Sequence, residues 1–137
     1  MKTHTTPLTV RPYECDPYGH VNHANYLHYL EVARLDYMRA VGFDYHGLLA
    51  AGYIMPITHI DIAYQVAALS EDELTIESTP VAVRRVTGSM KQTIRRGDTV
   101  VVEALVEWCI VDRAGRPARP PKPTSRPPSD TVRTLRR

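Results

Sequence analysis

The chain has little of what marks several large classes of protein. Its two cysteines, Cys15 and Cys109, form no CxxC pair, so neither a disulfide framework nor a zinc knuckle is indicated and reduced thiols are expected. No segment approaches the roughly 18 to 20 apolar residues of a membrane span, and the start, MKTHTTPLTV, holds no long apolar run. We therefore expect a cytoplasmic protein without a membrane partner.

Several catalytic motifs are missing as well. The sequence contains no GxSxG, no GxGxxG, no GxxxxGK[ST] and no HExxH, which removes support for several large enzyme classes. Asp16, His20 and His23 have the offsets of a metal-binding helical face, but Pro17 and Gly19 disfavour a continuous helix through them. We predict neither a metal site nor a cofactor.

Charge and proline are unevenly distributed along the chain. Residues 114–137 hold seven basic residues, one acid and six of the eleven prolines, whereas residues 1–113 hold ten basic and fourteen acidic residues. This composition favours a solvated or loosely packed tail over an arm that binds nucleic acid. We predict one domain over residues 1–113, a Pro- and Arg-rich tail over residues 114–137, and no nucleic-acid partner.

A short strand and a long helix are predicted in the first third of the chain. Residues 6–14 are predicted as a short strand, whose alternation continues until Pro12 interrupts it. One or two further helical turns are expected over residues 44–51. From about residue 22 to 41, apolar residues recur at steps of four and three, as on a helix with one buried stripe formed by Tyr26, Leu30, Ala33, Tyr37 and Val41.

The rest of the domain alternates with the two-residue period of β-strands. The runs cover residues 60–66, 74–83, 90–96 and 100–110. The apolar phase shifts at Pro80, which suggests a bulge, and Gly97 and Asp98 fit a two-residue hairpin turn. These patterns predict an α+β domain in which a curved antiparallel sheet of about five strands wraps a long central helix.

The junction between the first strand and the helix concentrates polar chemistry. Pro17 disfavours a helical Asp16 and Gly19 allows a turn, so the loop ends near Asn22 and a carboxylate precedes the free amides of a helix start. A carboxylate beside free helix amides suits the hydrolysis of a thioester. The leaving thiol has a pKa near the cysteine value of about 8.5, so it departs without a strong general acid. The carboxylate attacks the carbonyl or activates water, and amides stabilise the oxyanion.

At these residues the chain resembles the hotdog-fold acyl-CoA thioesterases. The segment DPYGHVNH at residues 16–23, followed by Asn25, Tyr26 and EVAR at residues 31–34, is similar to the signature of the 4-hydroxybenzoyl-CoA thioesterase branch and of bacterial long-chain acyl-CoA thioesterases with an HVNN-type motif. The resemblance is detailed over residues 8–42 and loose beyond them. It implies a hotdog fold, hydrolysis of an acyl-CoA to a free acid and CoA, and no cofactor.

The resemblance also implies roles for individual residues. Asp16 becomes the catalytic nucleophile or general base, and the backbone amide near His23 polarises the thioester carbonyl. His20 and Asn22 line the pocket, and His23 stands where the HVNN motif has a second asparagine. The other candidates for substrate binding are Tyr18, Asn25 and Tyr26 and, for the CoA phosphates, Arg84 and Arg85. Hotdog subunits pair sheet to sheet around each active site, so a homodimer or homotetramer is implied.

Alternatives stay open at several positions. Asp16 also fits an ordinary turn residue, and Asn22 fits a helix cap. Glu31 fits either a surface ion pair with Arg34 or a second catalytic carboxylate. The alternative functions are a non-catalytic hotdog module that binds an acyl thioester and a thioesterase that acts on acyl carrier protein. The sequence does not indicate the length or type of the acyl group.

Overall fold

The computed structural model describes residues 2–120, in which one long helix lies against one sheet. The elements in chain order are β1 His4–Thr9, a 3-10 turn Pro12–Glu14, α1 His23–Ala40, α2 Tyr45–Ala50, β2 Ile57–Tyr64, β3 Glu73–Val83, β4 Thr87–Arg96 and β5 Thr99–Cys109. The five strands are antiparallel in the order β1-β3-β4-β5-β2. The predicted α+β architecture is confirmed.

Helix α1 buries one face against the sheet. The buried residues are Tyr26, Tyr29, Leu30 and Ala33. They share one core with apolar strand residues, among them Leu74, Ile76, Ile94, Val101 and Val102. Burial of such a face supplies most of the stability of a helix in a protein. The predicted stripe was wrong at Val41, which is 58% exposed because α1 ends at Ala40 and Gly42 turns the chain away with a φ of +73°.

The first strand is shorter than its pattern predicts. Alternation over residues 6–14 predicts one strand, whereas β1 ends at Thr9 and a 3-10 turn begins at Pro12. Proline has no N–H to give to a strand pair, and its fixed φ suits the first position of a helical turn. The prediction of a strand beyond residue 9 is therefore wrong.

Two irregularities of the sheet occur where the sequence predicts them. The register between β3 and β4 shifts between Pro80 and Ala82, as the change of apolar phase indicates. Gly97, with a φ of +58°, and Asp98 connect β4 to β5 as a hairpin turn. The turn and the bulge are both confirmed.

A buried amide connects α1 to the middle of the sheet. Gln92 is 0% exposed, and its Nε2 group donates to the carbonyl oxygen of Leu30 and to Oγ of Ser78, both at 3.0 Å. Its Oε1 accepts a hydrogen bond from Arg34 at 3.1 Å. Because both N–H groups and the oxygen are bonded, the amide is accommodated in the core.

The sheet has two ends that are chemically different. The start of α1 lies at the end formed by Tyr64, Glu73 and Arg96, which we call the helix-start end. Ile57, Val83 and Thr87 mark the opposite end, which we call the hairpin end. With a rise of roughly 3.3 Å per residue, β3 alone separates the two ends by roughly 33 Å. Groups at opposite ends of one subunit therefore do not meet.

The chain beyond β5 turns back onto the domain. The N–H of Asp112 donates to the carbonyl oxygen of Arg116, and the N–H of Ala118 donates to that of Ile110. The domain boundary at residue 113 stays a prediction, and the tail from residue 121 lies outside the described residues. Within residues 2–120, no helix combines the length and the apolar composition that crossing a membrane requires.

The carboxylate of Asp36 links α1 to β1. Its Oδ2 accepts hydrogen bonds from Oγ1 of Thr6 at 2.7 Å and from Nε2 of His4 at 2.8 Å, and Oδ1 lies 3.7 Å from Arg39. These bonds, that from Thr6 above all, lower the pKa of Asp36 below its ordinary value of 3.8. The link is therefore strongest when the carboxylate is charged.

We predict that Asp36→Asn lowers the free energy of unfolding at neutral pH by on the order of 1 kcal/mol, a modest loss because the half-exposed pair is screened by solvent. A carboxylate with a lowered pKa stabilises the fold above the unfolded-state value of 3.8, and this contribution is lost as the pH falls through the folded-state pKa. Denaturant unfolding of both proteins should show a difference at about pH 7 that shrinks at about pH 3. Glu73→Gln, at the exposed start of β3, is the control, and an undiminished difference at acid pH would contradict the prediction.

Candidate active site

The loop ahead of α1 holds the carboxylate of Asp16 in one orientation. Its Oδ1 accepts hydrogen bonds from the backbone N–H groups of Tyr18 at 2.9 Å and His20 at 3.2 Å. The loop closes because the N–H of Asp16 donates to the carbonyl oxygen of His20 at 2.7 Å, with Gly19 at a φ of +79°. Within the described residues Oδ2 accepts no hydrogen bond. The turn role is therefore present, and it leaves one oxygen available to a ligand.

Helix α1 begins at His23 with Asn22 as its cap. The Oδ1 atom of Asn22 accepts a hydrogen bond from the N–H of Ala24 at 3.0 Å, which confirms the capping role. Among residues 2–120 the N–H of His23 has no hydrogen-bond acceptor. An unpaired N–H at the positive end of a helix suits an oxygen atom that gains negative charge.

The connection between β2 and β3, residues 65–72, closes one side of this loop. The N–H of Val21 donates to the carbonyl oxygen of Ala68 at 2.9 Å, and the N–H of Ala68 donates to the hydroxyl of Tyr26 at 3.0 Å. These bonds join the loop, the connection and the first turn of α1 into one unit.

An ion pair fixes the connection to the end of β4. Arg96 donates to Oδ2 of Asp72 at 2.7 Å and to the carbonyl oxygen of Ala67 at 3.2 Å. Burial favours a higher pKa for Asp72, but hydrogen bonds from the N–H of Leu69 and from Arg96 hold that pKa below 3.8. The pair therefore stays charged near neutral pH.

The thiol next to Asp16 is not activated. Burial first, and then the negative charges of Asp16 and Glu14, raise the pKa of the Cys15 thiol above 9.0. Within the loop, the Asp16 carboxylate is therefore the candidate for a reactive group. Within the described residues, no three His, Cys, Asp or Glu side chains come together in a way that could hold a metal ion.

The other predicted motif residues surround the loop in different ways. The side chains of Tyr18, His20 and His23 are exposed. Asn25 donates through Nδ2 to the carbonyl oxygen of Glu14 at 2.8 Å, so its side chain braces the loop. Tyr26 is 4% exposed and accepts the bond from Ala68, which gives it a packing role within the subunit. Contact of these residues with substrate stays a prediction.

The structure does not bring Arg84 and Arg85 to Asp16 within one subunit. Both residues are exposed and directly follow Val83 at the hairpin end of the sheet. A role in binding the CoA of the same subunit's site does not fit this position. The sequence could not indicate it, because the length and pairing of β3 decide which end the arginines occupy.

An apolar cavity of about 300 Å³ lies at the hairpin end, beneath the second half of α1. Its lining residues include Glu31, Arg34, Met38, Met90, Trp108 and Ile110. The ion pair between Glu31 and Arg34, one of the two alternatives for Glu31, is not formed: within residues 2–120 no carboxylate oxygen lies within 4.0 Å of the guanidinium. Asp16 does not line this cavity.

Two tyrosines at the helix start were not singled out by the sequence. The hydroxyl of Tyr64 donates to the carbonyl oxygen of His23 at 3.3 Å. The buried hydroxyl of Tyr29 has no hydrogen-bond partner within the described residues, and burial, followed by the charge of Glu14, raises its pKa. The period of α1 alone places Tyr29 beside Tyr26, whereas no local signal connects Tyr64 with His23.

This arrangement, a long helix on a five-stranded antiparallel sheet with a carboxylate loop at the helix start, is that of the hotdog-fold thioesterases. The family model of the thioesterase-like superfamily matches residues 10–131. The chain belongs to this superfamily and is a thioester hydrolase.

Individual relatives agree with the family match. The long-chain acyl-CoA thioesterase FadM of Escherichia coli is 32% identical over 109 residues, which cover 78% of this chain and 82% of FadM. The acyl-CoA thioesterase YbgC of Haemophilus influenzae is 32% identical over 107 residues, 77% of this chain and 79% of YbgC. The crystal structure of a probable thioesterase from Bartonella henselae superposes with a TM-score of 0.80 at 29% identity, covering 88% of this chain and 100% of that one. The predicted fold and enzyme class are confirmed.

We predict that Asn22→Ala lowers the free energy of unfolding by about 1 kcal/mol, because the first turn of α1 loses the acceptor for the N–H of Ala24. Asn22→Asp keeps a side-chain oxygen at that position and should unfold at nearly the wild-type denaturant concentration. Equilibrium unfolding of the three proteins tests this, and equal losses in both variants would show that the cap is not what Asn22 contributes.

Proposed function

We propose that this protein is an acyl-CoA thioesterase with Asp16 as its catalytic carboxylate. One observation carries the proposal: a single short loop holds a half-buried carboxylate by Oδ1 and leads into a helix whose first N–H, that of His23, is unpaired within the described residues. FadM and YbgC, both named as acyl-CoA thioesterases, support the substrate class.

The free oxygen of Asp16 begins the reaction by one of two routes. As a nucleophile, Oδ2 attacks the thioester carbon and expels the CoA thiolate, and water then hydrolyses the acyl-aspartyl anhydride. As a general base, Oδ2 takes a proton from a water molecule that attacks the same carbon. Both routes yield the free acid and CoA. A thiol with a pKa of about 8.5 leaves as an anion, so no strong acid is required.

The N–H of His23 is the proposed donor to the oxyanion. Negative charge develops on the carbonyl oxygen as the tetrahedral carbon forms, and a fixed donor of this kind contributes roughly 2.7 to 4 kcal/mol to lowering the barrier. Asn22 caps the helix through Oδ1, which leaves its Nδ2 group for substrate or water. The exposed His20 and Tyr18 flank the approach to the loop.

We further propose that the active species is a homodimer or homotetramer with shared sites. Within the described chain β2 pairs only with β5, so its other edge presents unpaired backbone groups. Two copies that join their β2 strands about a two-fold axis run antiparallel, and Tyr64 of one copy then approaches Ile57 of the other. The helix-start end of each subunit thereby adjoins the hairpin end of its partner.

Such a pairing completes the site. The acyl group enters the apolar cavity of the partner subunit, and Arg84 and Arg85 of the partner subunit are then available to the CoA phosphates.

The free thiols of Cys15 and Cys109 support the predicted cytoplasmic location.

We predict that Asp16→Asn lowers kcat for acyl-CoA hydrolysis at least about a hundredfold, because the amide is neither nucleophile nor base. Its Oδ1 still accepts from the N–H groups of Tyr18 and His20, so fold and assembly should be retained. A thiol-release assay measures the rate. Asp36→Asn is the matched control, since that carboxylate also accepts two hydrogen bonds but lies outside the site. Normal turnover in Asp16→Asn, with a loss in Glu31→Gln, would transfer the role to Glu31.

We predict that mixing two inactive variants restores activity. Met38→Trp should fill the cavity, and Asp16→Asn removes the carboxylate. Refolded together, they form mixed dimers in which one site combines an intact Asp16 with an intact cavity, so about a quarter of wild-type activity is expected for random pairing. Separately refolded samples that are mixed without exchange are the control. No recovery in verified mixed dimers would exclude a shared site.

A further inference from the structure

Arg34 is a half-buried cation in the wall of the apolar cavity. Its one side-chain hydrogen bond within the described residues goes to the neutral Oε1 of Gln92 at 3.1 Å. No carboxylate oxygen in that part of the chain lies within 4.0 Å of it. Because a guanidinium carries five N–H donors, most of them remain for a ligand or for water.

The position of this cation is fixed before any ligand arrives. Gln92 is buried, and its Nε2 group is bonded to Leu30 and Ser78, so its oxygen faces Arg34 in one orientation. A donor that is already ordered loses little further entropy when it binds. Arg34 is therefore better placed to bind an anion than an arginine on a solvated surface.

The surroundings of Arg34 strengthen its attraction for an anion. Met38, Met90 and Trp108 line the cavity with apolar surface, where charges interact more strongly than in water. Burial lowers the pKa of Arg34, against the opposing charge of Glu31, but an arginine remains charged at neutral pH. Glu31 is exposed and therefore screened by solvent.

We propose that this cavity binds a ligand with an apolar body and a carboxylate, which Arg34 holds. The planar fork of the guanidinium matches the two oxygens of a carboxylate. The volume of about 300 Å³ suits a medium-chain or aromatic acid and lies at the lower limit of small-molecule sites. The apolar body packs between Met38, Met90 and Trp108.

Two sources supply this chemistry. One is a second carboxylate at the far end of the acyl group of a thioester substrate, and the other is the free carboxylate of the acid that hydrolysis releases. Only the choice between these sources rests on the proposed function.

The single tryptophan of the chain, Trp108, lines the cavity and reports occupancy through its fluorescence. In titrations at neutral pH, octanoate should bind at least about tenfold more tightly than 1-octanol, as expected for one charge-assisted contact. Arg34→Met should remove this preference and leave 1-octanol binding unchanged. Arg39→Met is the matched control, because Arg39 lies on the same helix outside the cavity lining, and it should keep the preference.

A second variant tests the same contact in case Arg34→Met does not fold. Arg34→Met leaves Oε1 of Gln92 without its donor, whereas Arg34→Gln retains an N–H for it and should also lose the preference for octanoate. Equal affinities for octanoate and 1-octanol in the wild type overturn the proposal. Arg84 also lines the cavity, so a preference that persists in Arg34→Gln but disappears in Arg84→Met overturns the proposal as well. Octanoate binding that neither fluorescence nor calorimetry detects has the same consequence.

Hydrolysis rates then identify the source of the carboxylate. The enzyme is compared on ω-carboxyoctanoyl-CoA and octanoyl-CoA. If the first is hydrolysed faster and Arg34→Gln loses this difference, Arg34 binds a second carboxylate at the far end of the acyl group. If octanoate inhibits but the two substrates are hydrolysed at equal rates, the carboxylate that Arg34 binds is that of the released acid. Because the titrations need no turnover, an inactive protein that binds octanoate would reject the proposed function alone, and an active one without the preference would reject this inference alone.

Discussion

The proposed chemistry depends on how the Asp16 loop is fixed in place. Hydrogen bonds attach the loop to the start of α1 on one side and to the connection between β2 and β3 on the other. The carbonyl oxygen of Glu14 accepts from the N–H of Asn22 at 3.0 Å and from Nδ2 of Asn25 at 2.8 Å. On the other side, the N–H of Val21 is bonded to Ala68. The Asp16 carboxylate and the helix amides are therefore held in one relative arrangement by backbone and side-chain hydrogen bonds, as electrostatic stabilisation of a transition state requires.

Under the proposed function, the separation of Asp16 from the cavity gives the unpaired edge of β2 a role. Asp16 lies at the helix-start end, whereas the cavity beside Trp108 lies beneath the second half of α1, toward the hairpin end. Within one subunit the Asp16 carboxylate does not line this cavity. In the proposed assembly, antiparallel pairing of two β2 strands removes an exposed edge, which is a hazard for aggregation, and joins the two halves of the proposed site.

The features that the sequence predicted are those that local chemistry determines. Pro17 and Gly19 define the Asp16 turn, Asn22 caps α1, and Gly97 turns β4 into β5, each through its own backbone preference. The features that it missed depend on register between distant segments. Gln92 meets Arg34 because the middle of β4 faces the middle of α1, and no spacing within either element contains that information.

In the proposed mechanism, thioester cleavage needs little catalytic machinery, so selectivity rests on the cavity proposed to hold the acyl group. The hydrogen bonds of the Asp16 loop fix the conformation of the loop itself, whereas Met38 and Met90 in the cavity adapt to many apolar shapes. In the proposed ligand site, Arg34 adds a polar requirement. An entirely hydrocarbon chain displaces water from a guanidinium and offers it no acceptor, which costs free energy, whereas a carboxylate replaces the lost water. The same cation therefore disfavours purely apolar ligands and favours acidic ones.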